Sequence, residues 1–186
     1  YYFGRELEST LDVPVGVMAA YWGGTAIGYW VPDSGWQSVK DDPFVATNVL
    51  KRIAERPLVG KDGNPRRWPA YPGGIWNELV APFAPYTIKG MIWYQGCSDI
   101  DANHNGQIAY SKNMRALMNG WRREFGCPRM RLLFVELAQF TYPWMKLAPD
   151  DERLAELCDE QVKFAREEKD ACLTCVSDIG DLNDIH

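Results

Sequence analysis

The last residue of the sequence, His186, follows a polar turn that is rich in aspartate. Asp178, Asp181 and Asp184 all lie within the eight residues before it. A carboxylate beside a loop histidine can hold the imidazole in one tautomer and stabilise its protonated form, as the general base of a hydrolase requires. Composition alone favours the plainer alternative, a solvated histidine whose acidic neighbours occur by chance. His186 is therefore a candidate catalytic base, and both interpretations stay open.

Two adjacent glycines stand in the segment Trp22-Gly23-Gly24-Thr25, which we expect to end a strand and open a helix. Glycines let backbone N–H groups approach a ligand closely, and this suits an oxyanion hole or an anion site. A tight turn without any ligand explains the same two residues. The pair alone does not decide between these interpretations.

A third polar segment covers residues 95–99, Gln-Gly-Cys-Ser-Asp. Together with the next residue it resembles the G-x-S-x-G nucleophile elbow, except that Ile100 replaces the last glycine. Because that elbow is strained and needs small flanking residues, Ser98 is a poor candidate nucleophile. Cys97 would need a base beside it, and the sequence identifies none locally. An α/β-hydrolase that uses Ser98 remains a separate alternative.

The remaining histidine and the cysteines do not form a recognisable metal site. His104 lies in a polar segment, where contact with a substrate is one interpretation and a solvated histidine is the one we favour. Its spacing to Asp99 and Asp101 matches no known metal motif. Five cysteines, an odd number, exclude a fully paired disulfide framework. Cys172 and Cys175 form a single CxxC on what reads as a buried strand, where free cysteine acts as a small hydrophobe. We predict no metal and no cofactor.

The composition is that of a globular protein with a substantial core. The chain has 186 residues, 46% of them hydrophobic and 24% charged, with a net charge of −5. The acidic balance argues against a nucleic-acid partner, since such proteins carry a basic footprint. No apolar run approaches the roughly 18 residues that a membrane span needs. We predict one domain over residues 1–186, with an irregular insertion at about 33–74 that is rich in proline and glycine.

The elements that must position these residues alternate between strands and helices. This alternation predicts βαβ units and a mostly parallel sheet covered on both faces. Ligands bind beyond the carboxyl ends of such strands, so loops 21–25, 95–105 and 178–186 form the predicted site. Helices are predicted at 1–11, 43–56, 75–85, 108–125 and 150–169, and strands at 13–20, 87–95, 131–138 and 171–177.

Several motifs resemble, in order, those of the sialate O-acetylesterase family. They are VPVGVMAAYWGGT, GGIWNELVAPFAPYTIKGMIWYQGCSD, WRREF, LLFVELAQF and DIGDLNDIH, and together they cover nearly the whole chain. The family belongs to the SGNH (GDSL-like) hydrolases. The resemblance implies a flavodoxin-like three-layer α/β/α sandwich with a mostly parallel sheet, here incomplete at both ends. It also implies a serine esterase that removes O-acetyl groups from sialic acids or from plant polysaccharides such as xylan.

The resemblance assigns roles to residues of this chain that match the family motifs. His186 matches the catalytic histidine, and Asp184 becomes the acid that orients it. The oxyanion and substrate-binding set carried over is Gly23, Gly24, Gln95, Gly96, Cys97 and Ser98.

Two departures from the family pattern affect these assignments. The family nucleophile is the serine of a G-Q-S-N motif, which this sequence does not contain; we expect it before Tyr1 and expect the isolated chain to be inactive. Many relatives have a glutamate after Q-G, proposed to orient the histidine, where this chain has Cys97. Asp184 lies in a D-x-H spacing, whereas D-x-x-H is usual and would fall on Asn183; Asp181 is a further possibility.

These features predict a metal-independent carbohydrate O-acetylesterase whose partner is an acetylated carbohydrate. The resemblance also implies a secreted or periplasmic location. The alternative is a non-catalytic carbohydrate-binding domain or a degenerate esterase on the same scaffold. It shares the loops and the aromatic residues but requires no nucleophile.

Overall fold

A computed structural model describes residues 1–51, 71–84, 86–100, 109–141 and 151–184. No helix in these ranges is long and apolar enough to cross a bilayer. Short 3-10 helices lie at Ile27–Trp30, Ala81–Phe83 and Cys97–Asp99, and π-helical turns at Val45–Leu50 and Trp76–Val80. The main elements are α1 (Tyr2–Leu11), α2 (Asp33–Ser38), β1 (Gly90–Trp93), α3 (Tyr110–Glu124), β2 (Arg131–Val135), α4 (Arg153–Glu167) and β3 (Ala171–Thr174).

The three strands form one parallel sheet in the order β1-β2-β3. Trp93 pairs with Phe134, and Phe134 pairs with Leu173, so the carboxyl ends of all three strands meet at one edge. Helix α3 connects β1 to β2, and α4 connects β2 to β3. The predicted α/β class, with βαβ units and a parallel sheet, is confirmed.

Alternate side chains of the sheet pack against the two long helices. The Phe134 ring lies 5.8 Å from the ring of Phe164 on α4, and Trp93 Nε1 donates to the hydroxyl of Tyr110 on α3 at 3.3 Å. On the opposite face Ile92 and Tyr94 are about half exposed. The described helices α3 and α4 therefore cover one face, and the second helical layer of the sandwich stays a prediction.

The segment after the glycine pair is held tightly to α3. A Cβ built on Gly120 would lie 2.4 Å from the ring of Pro32, and one on Gly35 would lie 2.3 Å from the carbonyl oxygen of Ala116. Trp121 Nε1 also donates to the carbonyl of Trp30 at 3.0 Å. These close approaches fix the backbone that leads away from the glycine pair.

Some predicted elements differ from the structure. The strand predicted at 13–20 is wrong: that segment has no regular structure, and Val17 is 57% exposed. Its residues favour strands, but a strand forms only when it pairs with a neighbour. In the described sheet no strand lies next to this segment. In place of the α-helix predicted at 75–85, the structure has a π-helical turn at Trp76–Val80 and a 3-10 helix at Ala81–Phe83. Pro82 lacks the N–H that an α-helix would need at that position.

Two further predictions are only partly met. The predicted helix at 43–56 is helical as far as Lys51, and its remainder lies outside the described residues. Strand β3 is confirmed, but Cys172 and Cys175 are exposed and are not the buried hydrophobes we predicted. The side chain of Cys172 shares the exposed face of the sheet with Leu133, its partner in the register.

Candidate functional site

Two of the three predicted loops meet at the carboxyl edge of the sheet. The first is the glycine turn (residues 22–25), and the second is the exit segment (residues 95–99), which directly follows β1. Gln95 Nε2 donates to the carbonyl oxygen of Thr25 at 2.8 Å, across 70 residues of sequence. The first two predicted loops are therefore in contact, and the predicted site formed by all three stays a prediction.

The glycine turn is closed by the side chain of Thr25. Its Oγ1 donates to the carbonyl of Trp22 at 2.8 Å and accepts from Trp30 Nε1 at 3.0 Å. Gly24 has φ +69°, a left-handed conformation that favours glycine. Among the described residues, nothing lies within 4 Å of the place where a Cβ would project from either Gly23 or Gly24. Thr25 is thus buried and fixed, whereas Gly23 and Gly24 are exposed.

Gln95 uses its whole side-chain amide within the protein. Nε2 donates to Thr25 and, at 2.6 Å, to Oδ2 of Asp99, while Oε1 lies 2.9 Å from the hydroxyl of Tyr110. An amide nitrogen has two hydrogens, and both are directed at these acceptors. In this structure Gln95 therefore ties the glycine turn to the exit segment, and its donation to an oxyanion stays a prediction.

Gly96 and its neighbours also differ from the predicted pocket lining. Gly96 is buried, and a Cβ there would lie 3.1 Å from the side chain of Leu137, so close packing requires the glycine. Cys97 and Ser98 are half-buried within the 3-10 helix Cys97–Asp99. A nucleophile elbow would place the serine on a sharp turn between a strand and a helix, whereas Ser98 is the middle residue of this 3-10 helix. This arrangement argues against the α/β-hydrolase that uses Ser98.

Asp99 is a buried carboxylate that the sequence analysis treated only as part of a rejected metal motif. Its side chain is 6% exposed, and Oδ2 accepts from the backbone N–H of Ile27 at 2.9 Å as well as from Gln95. Burial raises the pKa of Asp99 to about 6, although both hydrogen bonds act to lower it. No ion pair among the described residues includes Asp99. The only feature of the sequence that pointed to Asp99 was its position two residues after the Q-G-C motif.

Tyr110 completes the buried network beneath the exit segment. Its hydroxyl lies 2.6 Å from the carbonyl oxygen of Gln95 and accepts from Trp93 Nε1. Burial, and then the charge of Asp99, raise the pKa of Tyr110 well above its ordinary value, so the phenol stays protonated. Tyr110 therefore acts as a neutral donor that fixes the end of β1.

The raised pKa of Asp99 predicts a pH dependence of stability. Because the folded state binds this proton more tightly than the unfolded state, the free energy of unfolding should fall as pH rises from about 4 to 6. A shift from 3.8 to about 6 corresponds to roughly 2–3 kcal/mol. Asp99→Asn should remove this contribution while keeping an oxygen acceptor.

Urea unfolding of both proteins at pH 4 and pH 7 checks this expectation. The wild type should lose about 2–3 kcal/mol relative to Asp99→Asn over that interval. Asp42, Asp151 and Glu160 have lowered pKa values and produce the opposite slope, but they are common to both proteins and cancel in the comparison. Identical pH profiles for the two proteins would contradict the buried, ionisable Asp99.

A second carboxylate that sequence reasoning missed lies at the end of β2. Glu136 is 9% exposed, and its Oε2 accepts from the hydroxyl of Ser177 at 2.7 Å. The charge of Glu136 raises the pKa of the Cys175 thiol, and burial, followed by that same charge, raises the pKa of Cys158 to about 11. Neither thiol is therefore an activated nucleophile. Glu136 instead anchors the chain where it leaves β3.

The final loop (residues 178–184) packs on the segment that follows β2. The backbone N–H and the hydroxyl of Thr141 both donate to the carbonyl of Leu182, at 3.1 and 3.0 Å. Asp184 is exposed at the end of the described residues, and Asp181 accepts from the backbone N–H of Asn183 at 2.8 Å. His186, His104 and Asp101 lie outside the described residues.

Comparison with known sequences gives a consistent match. The model of the family described as carbohydrate esterase, sialic acid-specific acetylesterase, matches residues 71–172. The sialate O-acetylesterase of Homo sapiens is 36% identical over 123 residues, which are 66% of this chain and 20% of that protein. The sialate O-acetylesterase of Rattus norvegicus is 32% identical over 142 residues, 67% of this chain and 25% of that protein. The chain thus spans a fifth to a quarter of the length of these relatives.

Comparison with solved structures supports the same architecture. The crystal structure of a carbohydrate acetylesterase from Xanthomonas citri matches with a TM-score of 0.75 and 25% identity, covering 100% of this chain and 35% of that one. A protein of Arabidopsis thaliana matches with a TM-score of 0.54 and 19% identity, covering 97% of this chain and 59% of that one. The second match concerns the fold alone.

Proposed function

Because the chain belongs to the sialic acid-specific acetylesterase family of carbohydrate esterases, we propose that the protein containing it removes O-acetyl groups from sialic acid or a related acetylated sugar. One observation of the structure carries this proposal furthest. Gly23 and Gly24 of the glycine turn are exposed, and the turn is fixed at Thr25 by hydrogen bonds with Gln95 and Trp22. Rigid backbone N–H groups at such a turn are suited to stabilising an oxyanion.

In the proposed mechanism a serine outside these 186 residues attacks the acetyl carbonyl, and His186 takes the serine proton. Backbone N–H groups of Gly23 and Gly24 stabilise the negative charge on the carbonyl oxygen. His186 then delivers its proton to the departing sugar hydroxyl, which leaves an acetyl-serine. Water then attacks this ester with His186 again as the base. Acetate leaves, and the serine hydroxyl is regenerated.

Asp184 is the acid we propose to orient His186. Asp181 already accepts the N–H of Asn183 and caps the turn within the final loop. Cys97 carries no fixed charge in the position where many relatives have glutamate. Glu136 is bound to Ser177 and holds the base of the final loop. Asp184 lies two residues before His186 in the sequence, which keeps its carboxylate near the histidine.

The alternative, a carbohydrate-binding domain without turnover, shares one observation with the esterase. Exposed aromatic side chains adjoin both site segments: Tyr21, Trp22 and Tyr94 are 83%, 36% and 54% exposed. Such rings stack on the apolar faces of sugars. They support a carbohydrate ligand, and the presence of catalysis distinguishes the two functions.

Acetate release by the complete protein, including the segment upstream of Tyr1, tests the proposal. Substrates are O-acetylated sialic acid, acetylated xylan oligosaccharides and an aryl acetate. We expect turnover of at least one sugar ester and a lower kcat in Asp184→Asn. Binding of these sugars without acetate release would instead support the carbohydrate-binding domain.

The upstream coding sequence gives an earlier check on the same mechanism. A G-Q-S-N motif after an apolar strand would supply the nucleophile, and continuous sequence without such a serine would overturn the esterase mechanism. On the resemblance alone, we also propose a secreted or periplasmic location. Detection of the protein in the periplasmic or extracellular fraction checks it.

A further inference from the structure

One oxygen atom joins the two segments of the candidate site. Oδ2 of Asp99 accepts from Ile27 N–H at 2.9 Å and from Gln95 Nε2 at 2.6 Å. Ile27 begins the 3-10 helix that follows the glycine turn. Gln95 begins the exit segment, two residues after the end of β1 at Trp93. The side chain of Asp99 therefore bridges segments that are 72 residues apart in sequence.

Asp99 itself is held rigidly. Its backbone N–H donates to the carbonyl of Gly96 at 2.8 Å, which closes the 3-10 turn. The neighbouring residue Ile100 is fully buried, and its carbonyl accepts from Arg153 Nη1 at 3.3 Å. A carboxylate placed on such a turn holds its partners in a narrow range of positions.

A chain of hydrogen bonds runs from Asp99 to the glycine turn. Gln95 carries the contact to the carbonyl of Thr25, and the hydroxyl of Thr25 closes the turn on the carbonyl of Trp22. The backbone N–H of Ile27, two residues after Thr25, forms the second contact with Asp99. Losing the acceptor on Asp99 would release both contacts at once and would leave two buried donors unpaired.

We infer that Asp99 is a positioning residue for the acetyl-transfer step: its buried carboxylate oxygen fixes the glycine turn against Gln95, so that the N–H groups of Gly23 and Gly24 face the developing oxyanion. This inference rests on the proposed function. Asp99 touches no reacting atom. Its effect is on geometry, and a displacement of about 1 Å near a reaction centre can cost roughly 10²-fold in rate.

Two substitutions with the same branched shape as aspartate separate the acceptor from the charge. Asp99→Leu removes the acceptor, and we expect kcat for the sugar ester to fall about 30–100-fold with KM changed less than about threefold. Asp99→Asn restores an oxygen in the same place, and we expect it to recover most of the lost kcat. A folded Asp99→Leu protein with wild-type kcat would overturn the inference. An Asp99→Asn protein as slow as Asp99→Leu would also overturn it, because charge and not position would then be responsible.

Hydrogen exchange at the Ile27 amide tests the same contact without reference to activity. In the wild type this amide should exchange slowly, as a buried hydrogen-bonded group does, and exchange should accelerate in Asp99→Leu but not in Asp99→Asn. Rapid exchange in the wild type would overturn the inference even if Asp99→Leu does not fold. If the protein hydrolyses no acetyl ester but shows this exchange pattern, the proposed function fails while the hydrogen-bonded bridge stands.

Discussion

Replacing His186 with alanine in the complete protein is expected to lower kcat for acetyl ester hydrolysis by at least about 10⁴-fold. His186 is the group that takes the serine proton and returns it to the sugar hydroxyl, and without it the nucleophile stays protonated at neutral pH. KM should change much less, because the imidazole contributes to the reaction and not to holding the sugar. Steady-state kinetics on an aryl acetate and a sugar acetate measure both parameters.

The chain offers a matched control because it contains two histidines. His104→Ala changes the same residue type in a polar stretch of the sequence and should leave kcat within about threefold, because we predict that its side chain is solvated. Equal losses in both variants would indicate a general effect on folding, which circular dichroism and thermal unfolding would reveal. A His186→Ala protein with wild-type turnover would remove His186 from the mechanism.

The fold was predictable where each element has its own strong signal. Helix α3 was predicted because Tyr110, Met114, Leu117 and Trp121 share one face, and all four are buried. Strand β1 is shorter than its apolar run: its pairing with β2 begins at Gly90 with Arg131, where β2 begins, and ends at Trp93 with Phe134. The segment 13–20 has an equally apolar pattern but no adjacent strand in the described sheet. Pairing is a property of the whole chain, so local sequence could not show this difference.

The contact between two of the predicted loops could be predicted from the sequence, but the pairing of their polar atoms could not. The rule that ligands bind beyond the carboxyl ends of parallel strands brought the glycine turn and the exit segment together correctly. The rule does not show which polar side chains in these loops already form hydrogen bonds within the protein. Gln95 was therefore predicted as a donor to substrate, and Asp99 and Glu136 were overlooked. Burial of a carboxylate without a cation depends on the packing of distant segments, as the contact between Asp99 and Ile27 shows.

Gln95→Leu distinguishes the two roles that sequence and structure assign to this residue. Leucine has a similar volume but removes the donors to Thr25 and Asp99 and the acceptor near Tyr110. Leaving buried partners unpaired costs about 1–3 kcal/mol each, and Tyr110 keeps the backbone carbonyl as a partner. We expect the free energy of unfolding to fall by about 3–4 kcal/mol and kcat by at least about 10²-fold, measured by urea unfolding and by hydrolysis of a sugar acetate.

Gln95→Glu is the matched control, because it keeps the shape and the oxygen near Tyr110 but places a carboxylate 2.6 Å from Asp99. Two carboxylates at that distance must share a proton. Stability and kcat of Gln95→Glu should therefore fall as pH rises above about 6, whereas those of Gln95→Leu should show no such added dependence. If Gln95→Leu instead lowers kcat while the free energy of unfolding stays unchanged, Gln95 acts on the substrate directly. In that case the amide exchanges a protein acceptor for the oxyanion during the reaction, and the sequence-based role is correct.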